Sequence, residues 1–317
     1  SNVKRSQVAR MAEAGLTAVQ PGIESFSSSL LTLMRKGVSA AQNVAFLKYA
    51  REHGIRSSYN LLVGFPGADP AEYLRMQEQL PKLFHLRPPS SVVPIEYHRF
   101  SPYHQRPADF GLTLHPAEEY QHLYPFPEEE LSQIAYGFQS TDGELDASIL
   151  RELSESVQYW QSVYQADDCT LTWRERVDDI LIDDRRPRFG PARVSLQRYA
   201  RAIFRLLDEP RSRTGLMRAA QNDQNESDTR VLLTWLFEQQ REPGVRIIRF
   251  ERSEFLEDPD ACLKLLVDAG LLFEDRWIPP PVDLVTIPAT PADPRYIALP
   301  VRASYQPEDT SWNSVGV

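Results

Sequence analysis

Three short apolar segments, each preceded by a helical pattern, recur along the first hundred residues at intervals of about 35 residues. The predicted strands are 16–20, 55–63 and 91–97, and the helical patterns lie at 4–14, 27–36, 39–53 and 69–86. Parallel strands need a long crossover connection, which such helices supply, so this order predicts an α/β fold with a parallel sheet. Because three parallel strands cannot close a barrel, we expect a partial parallel (βα) barrel, the second half of a larger one.

Local signals support these boundaries. Ser39 precedes one helical pattern and Gly54 follows it, and Asp69 stands before Pro70 at the start of the next. Ser and Asp are favoured N-caps, Pro suits the first helical position, and Gly ends helices. Pro94 lacks a backbone donor, so the third strand is not expected to be fully hydrogen-bonded on both sides.

The rest of the chain differs in composition. Residues 101–143 are rich in Pro, His and Tyr, and we expect an ordered loop with short helices because several aromatic side chains need burial: Tyr103, Phe110, Tyr120, Tyr124 and Tyr136. One long helix is predicted over 144–165 and a hairpin over 170–182, and together they form a linker over 144–194. Residues 195–305 are predicted to be a winged-helix-like α+β domain, with a frayed tail at 306–317. Its predicted elements are helices 196–208, 214–221, 228–239 and 259–269 and strands 271–275 and 296–301.

Composition excludes several functional classes. The 317 residues carry a net charge of −9, which argues against a nucleic-acid-binding surface. The two cysteines, Cys169 and Cys262, exclude a disulfide scaffold, a Cys-rich zinc site and any three-cysteine iron–sulfur motif within this chain. We therefore predict no metal ligands here and expect both cysteines to be small buried residues. No apolar run is long enough for a membrane span or a signal peptide, so a cytoplasmic location is expected.

The stretch Gln20-Pro21-Gly22-Ile23-Glu24-Ser25 is the strongest candidate for a binding site. A carboxylate directly after a parallel strand lies at the edge of an α/β fold where ligands bind. Glu24 could there accept hydrogen bonds from sugar hydroxyls or an ammonium group, and Gly22 would let a ligand approach the backbone. The alternative is that Glu24 caps the helix that starts near Ser27, which is the commoner role for such a residue.

Two further stretches could contribute to the same edge. The predicted strand that includes Asn60 and Val63 ends in the turn Gly64-Phe65-Pro66-Gly67, which could present backbone groups to a flat ring. Arg35 and Lys36 stand at a helix C-terminus, where they could complement the helix dipole or bind a carboxylate.

In order and spacing, these three stretches resemble the second half of a radical S-adenosylmethionine (SAM) barrel, of the type preceded by a cobalamin-binding domain. The resemblance covers about residues 1–100. It implies that Glu24 and Gln20 meet the SAM ribose or amino group, and that Arg35 or Lys36 faces the carboxylate. It also implies that Val63 and Gly64 lie against the adenine. The cofactor-binding candidates are Gln20, Gly22, Glu24, Arg35, Lys36, Asn60, Val63 and Gly64.

Further along the chain, several segments resemble a narrower group of proteins. These segments look like the maturases of ribosomally made, modified peptides (RiPPs), in particular the group called RiPP maturation radical SAM protein 1. The resemblance implies a precursor peptide with a leader as the partner and methyl transfer to carbon as one reaction. It rests on the segments Pro88-Pro89-Ser90-Ser91, Ile95–Tyr103, Pro107, Phe110-Gly111 and Ala135-Tyr136.

The sequence departs from that pattern because the Cys-x-x-x-Cys-x-x-Cys cluster loop is absent. We therefore expect this chain to be the C-terminal part of a longer parent. The parent would hold SAM, a [4Fe-4S] cluster and cobalamin, whereas this chain alone would hold none of them stably and would not cleave SAM. Expected partners are the missing N-terminal half and, through the open strand edge near 16–20, another copy of the chain. Nucleic acid and membrane are not expected partners.

His98, Arg99 and Tyr103 follow the third strand and would border the substrate cavity of the full barrel. Arg99 is the preferred candidate because a fixed cation can orient a peptide carbonyl, while local hydrogen bonding in a surface loop is the alternative for each residue. The winged-helix-like domain could bind a leader peptide by strand addition, or could be a structural cap on the barrel. Two other functions stay open: a non-catalytic leader-peptide-binding module, and part of another cobalamin–radical SAM enzyme such as an anaerobic ring cyclase.

Overall fold

The computed structural model describes residues 3–140, 146–166, 168–222, 244–275 and 293–302. The predicted helix at 228–239, most of the Pro-rich segment at 279–294 and the tail at 306–317 lie outside these residues. Within the described ranges, no helix is long and apolar enough to cross a membrane.

Three segments of the first hundred residues lie side by side and parallel, in sequence order, as the pattern predicts. The strands are β1 (Ala18–Val19), β2 (Arg56–Ser57), β3 (Leu61–Val63) and β4 (Val92–Pro94). β1 pairs with β2, and β3 pairs with β4. The backbone N–H of Leu62 also donates to the Glu24 carbonyl at 2.9 Å, which extends the contact between the first two segments. The described residues form a mixed α/β structure in which β1–β2 and β3–β4 are two short parallel sheets, and these strands close no barrel.

The connecting helices begin close to the predicted positions because their caps are local. They are α1 (Arg5–Glu13), α2 (Ser28–Leu33), α3 (Ala40–Glu52) and α4 (Pro70–Leu83). Ser27 accepts a hydrogen bond from the Leu30 N–H, Ser39 forms a capping box with Gln42, and Asp69 accepts from the Ala71 N–H.

Residues 97–139 form a small separate cluster, which we call the aromatic lobe. Its elements are β5 (Tyr97–His98), α5 (Pro102–Gln105), a 3₁₀ turn (Pro107–Phe110), β6 (His115–Pro116), α6 (Glu118–Leu123), α7 (Glu128–Ile134) and β7 (Gly137–Gln139). β7 lies between β5 and β6 in an antiparallel sheet over its own core of Tyr97, Leu112, Ala135 and Phe138. The short helices are confirmed, but the expected burial is wrong for Tyr124 and Tyr136, which are exposed.

The predicted long helix is α8 (Ala147–Gln165), and it packs on α4. The predicted apolar stripe is buried at Ile149, Leu153, Val157 and Trp160. The Trp160 Nε1–H donates to the carbonyls of Phe84 and Leu86, which fixes α8 to the end of α4.

A mixed five-stranded sheet follows. In spatial order it contains β12 (Val245–Phe250), β10 (Ala192–Arg198), β9 (Asp179–Asp184), β8 (Leu171–Glu175) and β15 (Val301–Arg302). β8 and β9 confirm the predicted hairpin. The helix predicted from residue 196 begins only at Tyr199, because the preceding residues pair with both β9 and β12. The domain boundary predicted at residue 195 therefore falls inside a strand.

The remaining elements form a second small layer. Helices α9 (Tyr199–Leu206), α10 (Arg213–Asn222), α11 (Arg252–Glu257) and α12 (Pro259–Asp268) accompany the strands β11 (Arg211–Ser212), β13 (Leu272–Asp275) and β14 (Arg295–Ala298). β14 lies between β11 and β13, antiparallel to both. This layer packs on α3, whose residues are apolar around most of the helix and are buried on nearly every side.

Candidate functional site

Glu24 lies in the segment between β1 and α2, and its carboxylate pairs with Lys36 at 2.8 Å. The backbone of Glu24 is held beside β3, because its carbonyl accepts the hydrogen bond from the Leu62 N–H. The side chains of Glu24 and Lys36 are 20% and 37% exposed, so both are accessible to a ligand from solvent. Because Ser27 caps α2, the alternative in which Glu24 is the cap is wrong.

Arg35 and Lys36 diverge although they are adjacent in the chain. Arg35 has a positive φ of 55°, and the N–H of Lys36 donates to the Leu31 carbonyl, so α2 ends in a left-handed turn. A left-handed backbone is costly for a residue other than Gly, Asn or Asp. The turn directs the Arg35 guanidinium over the ring of Phe110, 5.6 Å from its centroid, while Lys36 faces Glu24.

The turn after β3 is held from outside the strand. Gly64 has a φ of 78°, and its N–H donates to the Tyr73 hydroxyl at 3.0 Å. The Phe65 N–H donates to the same hydroxyl, and burial raises the Tyr73 pKa. The turn's first two backbone donors are therefore already satisfied, and a ligand would contact the Gly64 surface rather than those donors.

The other cofactor candidates have varied surroundings. Val63 is fully buried, so only its backbone could face a ligand. The Asn60 side-chain oxygen accepts from the Ser91 hydroxyl, and Gln20 and Gly22 are exposed. A cavity of about 310 Å³ opens beside β1, where Gly22 and Lys36 join an otherwise apolar lining from α1, α3 and β1. Neither Glu24 nor Gly64 lines it, so the candidates are neighbours along one edge and do not form a closed pocket.

The residues that follow β4 are used within the aromatic lobe. Arg99 donates to the carbonyls of Ala135 at 2.6 Å and Ser132 at 2.7 Å, which anchors the C-terminal end of α7. His98 pairs with Glu96 at 3.0 Å and stacks on Tyr136. Tyr103 packs on Tyr97 and Phe110, and burial raises its pKa, against the nearby charge of Arg35. Catalytic roles for His98, Arg99 and Tyr103 stay predictions, and Arg99 has a clear structural role.

The described residues do not fit an iron–sulfur cluster. They contain no group of three or more His, Cys, Asp or Glu side chains placed to hold a metal ion. The two cysteines of the chain, Cys169 and Cys262, are both buried and unpaired, as predicted. Burial raises the pKa of the Cys169 thiol to about 11 and raises that of Cys262 as well, so neither is disposed to form the thiolate that iron binds.

Strands β1 to β3, helices α1 to α3 and the Glu24–Lys36 pair all lie within one stretch of sequence that a known family model covers. Residues 2–80 match the Radical SAM superfamily. Proteins of this superfamily use SAM and an iron–sulfur cluster. The match includes Glu24, Lys36 and Gly64 but ends before β4 and the aromatic lobe. No curated protein matches the chain.

Sequence reasoning missed Tyr73 and Asp275, and it did not foresee the contact between Phe110 and Arg35. Tyr73, on α4, holds the Gly64 turn, and Phe110 receives Arg35 from another part of the chain. Asp275, on β13, accepts from the Ser28 hydroxyl and the Ala41 N–H and so joins α2 and α3. The sequence gives no signal for these contacts, because none of them belongs to a local sequence motif and two of them join residues that are distant in the chain.

Proposed function

We propose that residues 2–96 form the SAM-binding part of a radical SAM enzyme. The observation that carries this proposal is the accessible Glu24–Lys36 pair, which follows β1 in the chain and lies inside the stretch that matches the superfamily. SAM carries an ammonium group, a carboxylate and ribose hydroxyls. Glu24 would accept hydrogen bonds from the ammonium or the hydroxyls, and Lys36 would bind the carboxylate.

These two residues would bind SAM by exchanging their mutual ion pair for contacts with the ligand. An ion pair that is partly open to solvent stabilises the fold by only about 0–1 kcal/mol, so the exchange costs little. Gly22 leaves room for SAM to approach Glu24, because it places no side chain there. A Cβ at this position would lie 3.9 Å from Glu24 Oε1. Arg35 remains on Phe110 and would contribute positive charge rather than direct contact.

The part of the chain that the structure describes supplies no ligand set for the cluster, so no SAM cleavage is assigned to its residues. We propose that the cluster cysteines and a cobalamin site lie in polypeptide outside this sequence, the missing N-terminal half of the parent. Contact with that polypeptide through the open edge of β1 is part of the proposal, and so is self-association through the same edge.

The proposed substrate of the parent is a ribosomally made precursor peptide, modified by methyl transfer to carbon. The support is the resemblance of the segments between Pro88 and Tyr136 to peptide maturases, together with their position on either side of β4. Another cobalamin–radical SAM enzyme, such as an anaerobic ring cyclase, would share the edge up to Gly67 but not these later segments.

A leader-peptide-binding module is the second candidate function. It is favoured by the small sheet in which β14 lies between β11 and β13, accompanied by helices, an arrangement consistent with a winged helix. Strand addition to such a sheet is a common way to bind extended peptides. The extensive packing of this layer on α3 equally fits a structural cap.

The SAM proposal is tested by titrating the chain with SAM and following backbone amide NMR shifts. Because half of the expected site is absent, we expect weak binding, with a Kd of about 1 mM, and shifts near Gly22, Glu24 and Gly64. Glu24→Gln and Lys36→Met should each weaken binding several-fold. Lys264→Met is the matched control, since Lys264 also forms an exposed ion pair, with Asp268, but lies far along the chain on α12. Equal binding by all four proteins would contradict the proposal.

A further inference from the structure

The aromatic lobe exposes several large apolar side chains, and five of them lie close together in sequence, between residues 123 and 136. They are between 43% and 69% exposed, whereas residues of this kind are usually buried. Exposed clusters of this sort mark interaction sites more often than isolated exposed residues do. We call this cluster the aromatic face; it consists of Leu123, Tyr124, Phe126, Ile134 and Tyr136.

The rings of the aromatic face are ordered against one another. Tyr124 stacks on Phe126, with centroids 6.1 Å apart and planes 4° from parallel, and on Tyr120 at 6.4 Å. The Tyr120 hydroxyl accepts from the backbone N–H of Tyr136, and the Tyr136 ring stacks on His98 at 5.0 Å. The face is therefore preorganised, which lowers the entropy that a ligand must overcome to bind.

The stretch of sequence that carries the aromatic face is acidic. Residues 107–140 contain six carboxylates and no Lys or Arg. Asp109 pairs with Arg106 and Glu128 with His115, and the first turns of α6 and α7 account for part of the acidity through the helix dipole. The whole acidic set is exposed and consists of Asp109, Glu118, Glu119, Glu128, Glu129 and Glu130.

The aromatic lobe adjoins the proposed SAM edge. β5 follows β4 directly in the chain, and Arg35 of the edge packs on Phe110 of the lobe. A ligand on the aromatic face would thus be attached to a part of the molecule that is in contact with the proposed cofactor site.

We propose that the aromatic face binds a peptide segment in which Lys or Arg side chains alternate with aromatic or aliphatic ones. Ring faces attract cations, carboxylates complement them at longer range, and the exposed apolar area accepts the peptide's own apolar side chains. The acidic surroundings disfavour nucleic acid and anionic membranes. That this peptide is the substrate rests on the proposed function; that the face binds it does not.

The test uses the full chain and a fluorescein-labelled peptide, (Gly-Lys-Trp-Lys-Leu-Gly)₂, followed by fluorescence polarisation. We expect saturable binding that weakens as salt rises. Two control peptides separate the contributions: Glu in place of Lys should abolish binding, and Ser in place of Trp and Leu should weaken it strongly. Neutral phosphatidylcholine vesicles are the control for general apolar affinity and should not bind.

Variants then locate the site. Replacement of Leu123, Tyr124 and Phe126 together by Ser should weaken binding by about tenfold or more, as expected for the anchors of an interface. Tyr159→Ser is the matched control, because Tyr159 is also an exposed tyrosine with one aromatic neighbour, Phe84, but lies on α8. Glu118→Lys with Glu119→Lys should weaken binding and flatten its salt dependence, and circular dichroism checks that each variant stays folded.

Several results would overturn the proposal: no binding of the Lys peptide, equal binding of the Glu peptide, binding to the vesicles instead, or unchanged affinity in the triple Ser variant. Each of these results can be distinguished from a failure of the proposed function. Loss of SAM binding in Glu24→Gln with intact peptide binding supports both proposals, whereas a wild-type chain that binds the peptide but not SAM contradicts only the proposed function.

Discussion

Two ion pairs in this protein have similar geometry and opposite surroundings. Glu24 and Lys36 pair at 2.8 Å where solvent reaches both side chains, and Lys48 and Asp208 pair at 2.7 Å with the Lys48 side chain fully buried. The first joins residues 12 positions apart, and the second joins α3 to the chain 160 positions later. Distance alone therefore does not tell which pair holds the fold and which is available for a ligand; burial does.

The buried pair belongs to a network that fixes the C-terminal layer on α3. Lys48 also donates to the Ala298 carbonyl at 2.9 Å, and Arg5 pairs with both Asp208 and Glu52. These contacts connect α1, α3, the end of α9 and β14. The layer is therefore fixed on α3 by buried polar contacts as well as by apolar packing.

Breaking the buried pair should give the largest effect. Asp208→Ala leaves the buried Lys48 without its carboxylate, and we expect a loss of about 3–5 kcal/mol in the free energy of unfolding, measured by urea denaturation. Lys48→Met combined with Asp208→Ala should recover much of this loss, because the fully buried charge is removed and Arg5 keeps its pair with Glu52. If Asp208→Ala alone lowers the free energy of unfolding by less than about 1 kcal/mol, the Lys48–Asp208 pair contributes no more to stability than the Glu24–Lys36 pair does.

Two aspartates, one partly buried (Asp208) and one buried (Asp275), should respond to pH in opposite directions. Burial acts to raise the Asp208 pKa, but the charge of Lys48 and its hydrogen bond hold it below the usual 3.8. Asp208 therefore contributes stability above its unfolded pKa that is lost as pH falls through the lower folded value. Burial raises the Asp275 pKa above 3.8, and its charged form is the costly one, so the protein gains stability as pH falls through that raised value.

The measurement is the free energy of unfolding of the wild type minus that of each Asn variant, followed from pH 6 to about pH 3. For Asp208→Asn, this difference should decrease as pH falls. For Asp275→Asn, it should increase as pH falls, because the wild type gains stability. Slopes of the same sign for both variants would show that the two carboxylates do not differ as their surroundings indicate.

A smaller effect is expected from the backbone at the exposed edge. Arg35→Ala and Arg35→Gly both remove the guanidinium from Phe110, but only Gly adopts the positive φ without strain. The Gly variant should therefore be the more stable by about 1 kcal/mol in thermal or urea unfolding. Equal stabilities would indicate that the left-handed turn relaxes when the Phe110 contact is lost.

The smallest effect should come from the exposed pair itself. Glu24→Gln and Lys36→Met should change the free energy of unfolding by about 1 kcal/mol or less, while they weaken SAM binding. This separation of stability from binding is the signature of a ligand site. A large loss of stability in either variant would instead place this pair in the same structural role as Lys48–Asp208.

Much of the local structure could be predicted from the sequence. Ser39, Asp69 and Gly54 mark the helix limits because caps act on residues within three or four positions. The alternation of strands and helices sets the parallel pairing of β1 to β4, and the apolar stripe ending at Trp160 identifies the buried side of α8. The burial of both cysteines also follows from residue type alone.

Only the tertiary structure decided the rest. Strand β10 takes residues from a predicted helix because two neighbouring strands offer hydrogen bonds that local propensity does not reveal. Tyr124 and Tyr136 stay exposed because the core of the aromatic lobe is already filled by other residues. The pairing of Lys36 with Glu24 and of Lys48 with Asp208 depends on how distant segments meet. The sequence determined which elements form; contacts between elements decided which charges are structural and which face solvent.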